Sequence, residues 1–431
     1  MEGTWGLLGP EFLPNTRRTR TLGLGASVRA FNDLAVPGLG GVWYGKQLLL
    51  AVLGVKVAED ARNGGAKVQN IEVANAIEAL ACWLAFDGNG WRRDARLRGN
   101  NKLHGKDDFS FRRARQRNFY VTQPMRMATV QPLPALGFVE SDSVRFNAFR
   151  CLAAGKEFIE RATSEYRPFK RSVVDYLTCW AQMKDDRFKS PALRQALSPL
   201  NRLPDAAIPV LRERLLQGGM KERREDKERR GRALAWVETL RKDKPGSLTW
   251  EHRPQGISEN HWHDLQAGAL FFAAREAAIA TLDALETHIG NQAGGHAFPL
   301  GHIPGSLEPE LEKLRSAANA YLGFNHADEE ARNFCSECVN SNPSSVLRSL
   351  VRRDEHVLRL VGDEVKPGPA FRGSVNLTIA EDDEEESTPM AEDIPLPPDI
   401  SFRMRNLYLL NLDLHGELDA WLNPSATGND A

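Results

Sequence analysis

Five prolines between Lys156 and Leu240, at positions 168, 191, 199, 204 and 209, interrupt a stretch whose apolar residues recur at helical spacing. Inside a helix, proline removes a backbone hydrogen bond and clashes with the preceding turn. No continuous helix can run through this stretch, so several short helices are expected. Longer ones are expected elsewhere. Gln47 to Arg62 is apolar on most sides and stops at Asn63-Gly64-Gly65, a sequence suited to a left-handed helix end. A second helix is expected after Asn70, whose side chain is a candidate cap, with Ile71, Ala74, Ile77, Leu80 and Leu84 on one face and Asp87-Gly88 at its end. The two make a helical hairpin. After Ser258, the residues Leu265, Ala269, Phe272, Ile279, Leu282 and Ile289 form a long apolar stripe that closes at Gly290, and another helix is expected from about Pro309 to Gly323.

Strand signals are weaker and local. Between Trp91 and Phe149, short aromatic or β-branched pieces (109–111, 119–122 and 143–149) alternate with prolines at 124, 132 and 134. Further on, FRMRNLYLLNLDL from Phe402 alternates as a strand would. The expected fold class is mainly α with a smaller β-containing part (α+β), and a chain of 431 residues is long enough to be multi-domain. The expected divisions are a basic mixed α+β region over 1–155, a helical domain over 156–290, and a C-terminal region over 306–431. A Gly/Pro-rich linker over 290–305 separates the last two. Residues 381–399 carry nine acids and no base, and are expected to be a flexible acidic insert.

Hydrophobic residues at 42% and charged residues at 26% are ordinary globular values and exclude a fibrous or largely disordered chain. Five cysteines, an odd number in so long a chain, do not make a disulfide framework and suit a reducing, cytoplasmic setting. The opening residues lack a basic start followed by a long apolar core, so no secretory signal is expected. The run from Leu48 to Val57 contains Lys56 and is about half the ~20 residues of a spanning helix. It reads as a core helix, and no membrane partner is expected.

The formal net charge is −1, so electrostatic inference rests on where charges sit. Between positions 92 and 126 lie Arg92, Arg93, Arg96, Arg98, Lys102, Lys106, Arg112, Arg113, Arg115, Arg117 and Arg126, against only Asp94, Asp107 and Asp108. Clustered cations displace counterions from phosphates, and interleaved rings can stack on unpaired bases. Phe109, Phe111, Phe119 and Tyr120 are placed for that second role, and Arg17, Arg18 and Arg20 are candidates to extend the patch. The alternative is that these arginines form a solvated face or pair with carboxylates of the fold or of a protein partner. A second charged run, KERREDKERRGR from Lys221, mixes acids with bases and reads as a solvated helix with pairing between turns.

Candidates for chemistry are sparse. Cys335 and Cys338 form a CxxC pair, with His326 as a possible third zinc ligand and His302 or His356 as arbitrary fourth ones. Zinc is therefore the one cofactor considered, and none is expected. His261, His263 and Asp264 are dense, but on a helix positions two apart diverge. The glycines at 23–25 and 38–41 lack the GK[ST] ending of a phosphate loop, and no catalytic template of hydrolases, metalloproteases or kinases is present. The expected function is a noncatalytic nucleic-acid-binding subunit of a larger intracellular assembly, with DNA or RNA and other protein subunits as partners. Two alternatives stand beside it: a scaffold binding an acidic protein, and an enzyme with dispersed residues, such as a nuclease acting on foreign DNA.

Overall fold

The computed structural model describes residues 20–246, 248–292, 297–373 and 394–423. It is mainly α with a small β part, in two small antiparallel sheets. The chain divides into two compact units, each assembled from two separated stretches: Met1–Phe31 with Gln266–Ile379, and Asn32–Leu265 with Ala380–Ala431. The divisions fall within the helices Gly25–Ala35 and Glu259–Gly290, whereas the sequence suggested boundaries near 155 and over 290–305. No helix of the described residues is long and apolar enough to cross a membrane.

In the larger unit the expected hairpin is the centre of the core, as helices Gly45–Asn63 and Asn70–Asn89. They approach closely because Gly54 has no side chain: a Cβ there would lie 2.6 Å from the Cα of Ala74. The turn differs in detail from expectation. Gly65, at φ 89°, takes the left-handed conformation, while Gly64 does not. Asn70 sits inside the second helix, where its amide donates to the Phe146 and Phe149 carbonyls at 3.1 and 2.9 Å. The helix start is served instead by Glu72, whose carboxylate accepts the Gln69 N–H at 2.8 Å.

The proline-broken stretch forms the short helices Ala153–Thr163, Val173–Ala181, Pro191–Leu197 and Ile208–Gln217. Ser172 and Ser190 cap two of them by accepting the Asp175 and Leu193 N–H groups. Two strand expectations are corrected. Residues 109–111, 119–122 and 143–149 make no strand, and the only pairing nearby joins Val139–Glu140 to Arg150–Cys151. Their aromatic side chains are single anchors into a helical core and show no two-sided alternation. Residues 402–415 are the helix Phe402–His415, buried from Met404 to Leu414 apart from Arg405. A helix buried all round has no solvent face to separate polar from apolar residues, so its sequence loses the 3.6-residue rhythm and leucines at alternate positions imitate a strand.

The acidic residues 381–393 lie outside the described residues. The rest of that expected insert is anchored, though Pro398 and Asp399 are exposed: Leu396 belongs to the core, and the Pro398 carbonyl accepts the Trp250 Nε1–H at 3.0 Å.

The smaller unit packs the later turns of Glu259–Gly290 with helices Glu308–Phe324, Glu329–Cys338 and Pro343–Asp354, and a three-stranded sheet with Glu364–Pro367 in the middle. Phe31 lies against Phe271 and Tyr321, and Phe271 against Phe334. Arg20, a candidate for the basic patch, is buried here among carboxylates, 2.7 Å from Glu286, 3.0 Å from Asp283 and 3.7 Å from Asp354. It is a structural ion cluster, not an exposed charge. Arg17 and Arg18 lie outside the described residues.

Candidate nucleic-acid interface

The basic segment runs along the helix Asn70–Asn89 and is pinned to it by its own aromatic residues. Trp91 stacks on Phe86 with centroids 5.2 Å apart, and Phe109 packs against Trp83 and Phe119 at 4.9 and 5.3 Å. Phe111 meets the edge of Trp180, whose indole N–H donates to the Phe109 carbonyl at 2.9 Å. Tyr120 reaches Cys82, its hydroxyl 3.3 Å from the sulfur. Phe109 and Phe111 are 0% exposed, Tyr120 4% and Phe119 8%. The sequence reading placed these rings as stacking platforms for bases; in the folded chain they are core. Burial of each ring is worth roughly 1.5–3 kcal/mol, which outweighs anything an exposed position offers the fold.

The anchors divide the eleven cations into groups. Arg96 and Arg98 are buried. Arg96 holds Asp94 at 2.8 Å and Asp419 at 2.6 Å and donates to the Leu200 carbonyl at 3.2 Å. Burial works to raise the Asp94 carboxyl, but the hydrogen bonds and charge of Arg96 hold it below the usual range. Arg115 is half-buried, paired with Glu72 at 2.7 Å and lying over Phe111. Lys106 is half-buried over the Phe119 ring, and Arg126 is half-buried over Phe146 and bonded to Asn75. Arg92, Arg93, Lys102, Arg112, Arg113 and Arg117 are exposed. Of these, Arg113 faces Asp108 at a loose 3.7 Å, and among the described residues no carboxylate pairs with Arg92, Arg112 or Arg117. Arg112, Arg113 and Arg117 lie within six consecutive positions that begin in the one-turn helix Phe111–Ala114, so they are held close together.

Sequence reading missed the residue that fixes the end of this segment. Glu78, 2% exposed on the hairpin helix, accepts the backbone N–H groups of Met125 and Arg126 at 2.6 and 3.1 Å. Burial raises its carboxyl to about 7, against the pull of those two amides and of Tyr120. The neighbouring Cys82 thiol is pushed up to about 12, chiefly by burial. A lone glutamate inside the apolar run AIEALACWLAF was the available signal. Only a partner distant in sequence explains it.

The two thiols and His261 are taken up by the fold. Cys335 and Cys338 are buried in the helix Glu329–Cys338, and burial pushes both thiols up, Cys335 to about 12. His326 turns its ring toward Phe31, and its Nδ1 accepts the Asp328 N–H at 3.2 Å. Among the described residues, no compact group of three ligand atoms includes either thiol. His261 and His263 diverge as helical geometry requires. His261 is buried with Nε2 at 2.9 Å from the Ala35 carbonyl, His263 is exposed, and Asp264 pairs with Arg229 at 2.6 Å. Comparison with protein-family models, with curated proteins and with solved structures gives no match.

Proposed function

We propose that the chain is a noncatalytic nucleic-acid-binding component of a larger assembly, holding phosphates with the exposed cations of the segment from Arg92 to Arg117. One observation supports this reading above the others: the segment's rings are fastened inside while Arg92, Arg112 and Arg117 face solvent with no carboxylate partner among the described residues. A charge left unpaired beside others of its sign adds little to folding and repels its neighbours. Such a cluster gains most from a polyanion, which exchanges its condensed counterions for the guanidinium groups. Arginine also presents a planar fork that matches phosphate oxygens.

The test is equilibrium binding of the purified chain to labelled DNA and RNA at low salt. The variant Arg112→Ala/Arg113→Ala/Arg117→Ala is expected to weaken binding at least about tenfold. Arg223→Ala/Arg224→Ala removes two arginines of comparable exposure that already pair with Asp226 and Glu228, and is expected to change it less than about twofold. Equal losses in the two variants would reduce the effect to net charge. No binding to either nucleic acid, together with capture of an acidic protein by the same arginines, would replace this reading with that of a protein scaffold.

A further inference from the structure

We infer that the ligand of this surface is a double-helical nucleic acid gripped by its backbone, and not a single strand; the inference rests on the reading proposed above. A protein that prefers single strands combines cations with exposed rings, because stacking on unpaired bases offsets what is lost by opening or avoiding a duplex. In this segment no Phe, Tyr or Trp ring is exposed. Their faces are also occupied. Trp91 lies flat on Phe86 with an interplanar angle of 2° and meets His104 at 4.6 Å. Lys106 sits 4.8 Å over Phe119, and Arg115 5.5 Å over Phe111.

No Phe, Tyr or Trp ring stands out beside the exposed cations, and charge responds to the density of phosphates. A duplex carries one negative charge per roughly 1.7 Å of its axis, and each phosphate neutralised releases more counterion from duplex than from single strand, about 0.9 against about 0.7. With stacking absent, that difference decides the preference. It also makes binding indifferent to base sequence, since phosphate contacts position a protein without reading bases. Inorganic polyphosphate, which has charge and no bases, is expected to compete.

The experiment measures the affinity of the full chain, at one low salt concentration, for a mixed-sequence DNA duplex and for a thymidine homopolymer strand of equal length, with inorganic polyphosphate as competitor. The expected result is at least about fivefold tighter binding to the duplex, displacement of both by polyphosphate, and loss of both on changing Arg112, Arg113 and Arg117 to Ala. Binding to the single strand as tight as or tighter than to the duplex overturns this inference and leaves the proposed function standing. Failure to bind any of the three probes removes this inference, and failure to bind labelled RNA as well removes the proposed function with it.

Discussion

The segment from Arg92 to Arg126 and the helix Arg224–Asp243 with its lead-in are both dense in arginine, yet they dispose of their charge differently. In the helix, acids stand one turn away from bases. Arg224 pairs with Glu228, Arg229 with Glu225 and Asp264, and Arg241 with Glu238 and Glu417. Arg230 turns fully inward, bonding both oxygens of Glu222 and the carbonyls of Leu215 and Pro37. That burial corrects the expectation of a wholly solvated helix. In the segment, three acids stand among eleven bases, and Arg96 and Arg115 are tied to carboxylates at 2.6–2.8 Å. Arginine count therefore says little by itself. The supply of carboxylates within reach decides whether a guanidinium holds the fold or faces solvent.

The comparison breaks most readily at Arg230. Removing it leaves Glu222 with an uncompensated charge in a nearly dry site, so Arg230→Ala is expected to cost about 3–5 kcal/mol in denaturant unfolding. A cost below about 1 kcal/mol would mean that burial of this pair contributes no more than a surface pair does.

A buried basic group that is kept neutral sharpens the contrast. Burial lowers the His261 pKa to about 4, and the Nε2–H donates to the Ala35 carbonyl. Between about 4 and 6.5 the unfolded chain binds a proton that the folded one refuses, so this residue's stability contribution is complete above pH 6.5 and is lost as pH falls toward 4. Between pH 7 and pH 5 the parent's unfolding free energy is expected to change less favourably than that of His261→Gln, by roughly 2 kcal/mol. Glu78 and Asp413 act with the opposite sign, since burial raises them to about 7 and about 6 and both favour the fold as pH falls. The variant, compared with the parent, isolates the histidine from them.

Arg96 is the member of the segment that behaves like the helix arginines. Arg96→Ala is expected to cost about 2 kcal/mol, the worth of hydrogen bonds between charged partners in a mostly buried place. The smallest effect belongs to Arg112, Arg113 and Arg117, whose replacement by alanine is expected to shift stability by less than about 0.5 kcal/mol each. If those three destabilise the chain as much as Arg96→Ala, they are tied into the fold and the contrast between the two regions fails.

Much of the helical framework was legible because it rests on local chemistry. Prolines at helix starts, Ser172 and Ser190 as caps, and the stripe from Leu265 to Ile289 all carry their meaning within a few residues. Where periodicity vanishes, legibility goes with it: the helix Phe402–His415 is buried on nearly every side, polar residues included, and reads as alternation. The basic cluster was visible as composition, but the roles within it were not. Phe109, Phe111 and Tyr120 look the same in sequence whether they face bases or Trp83, Trp180 and Cys82. Likewise Arg96 is set apart from Arg92 by partners that include the Leu200 carbonyl and Asp419, both far along the chain. Glu78 is intelligible only once the backbone of Met125 and Arg126 lies over it. Long-range partners assign these side chains, and one sequence does not show them.

The central claim is that Arg112, Arg113 and Arg117 act by neutralising phosphates. Its most direct test is the slope of log affinity against log salt for duplex DNA, measured for the parent chain and for the variant lacking all three. The account predicts a variant slope shallower by about 2.7, near 0.9 for each arginine removed. Identical slopes, with or without a drop in affinity, would contradict it.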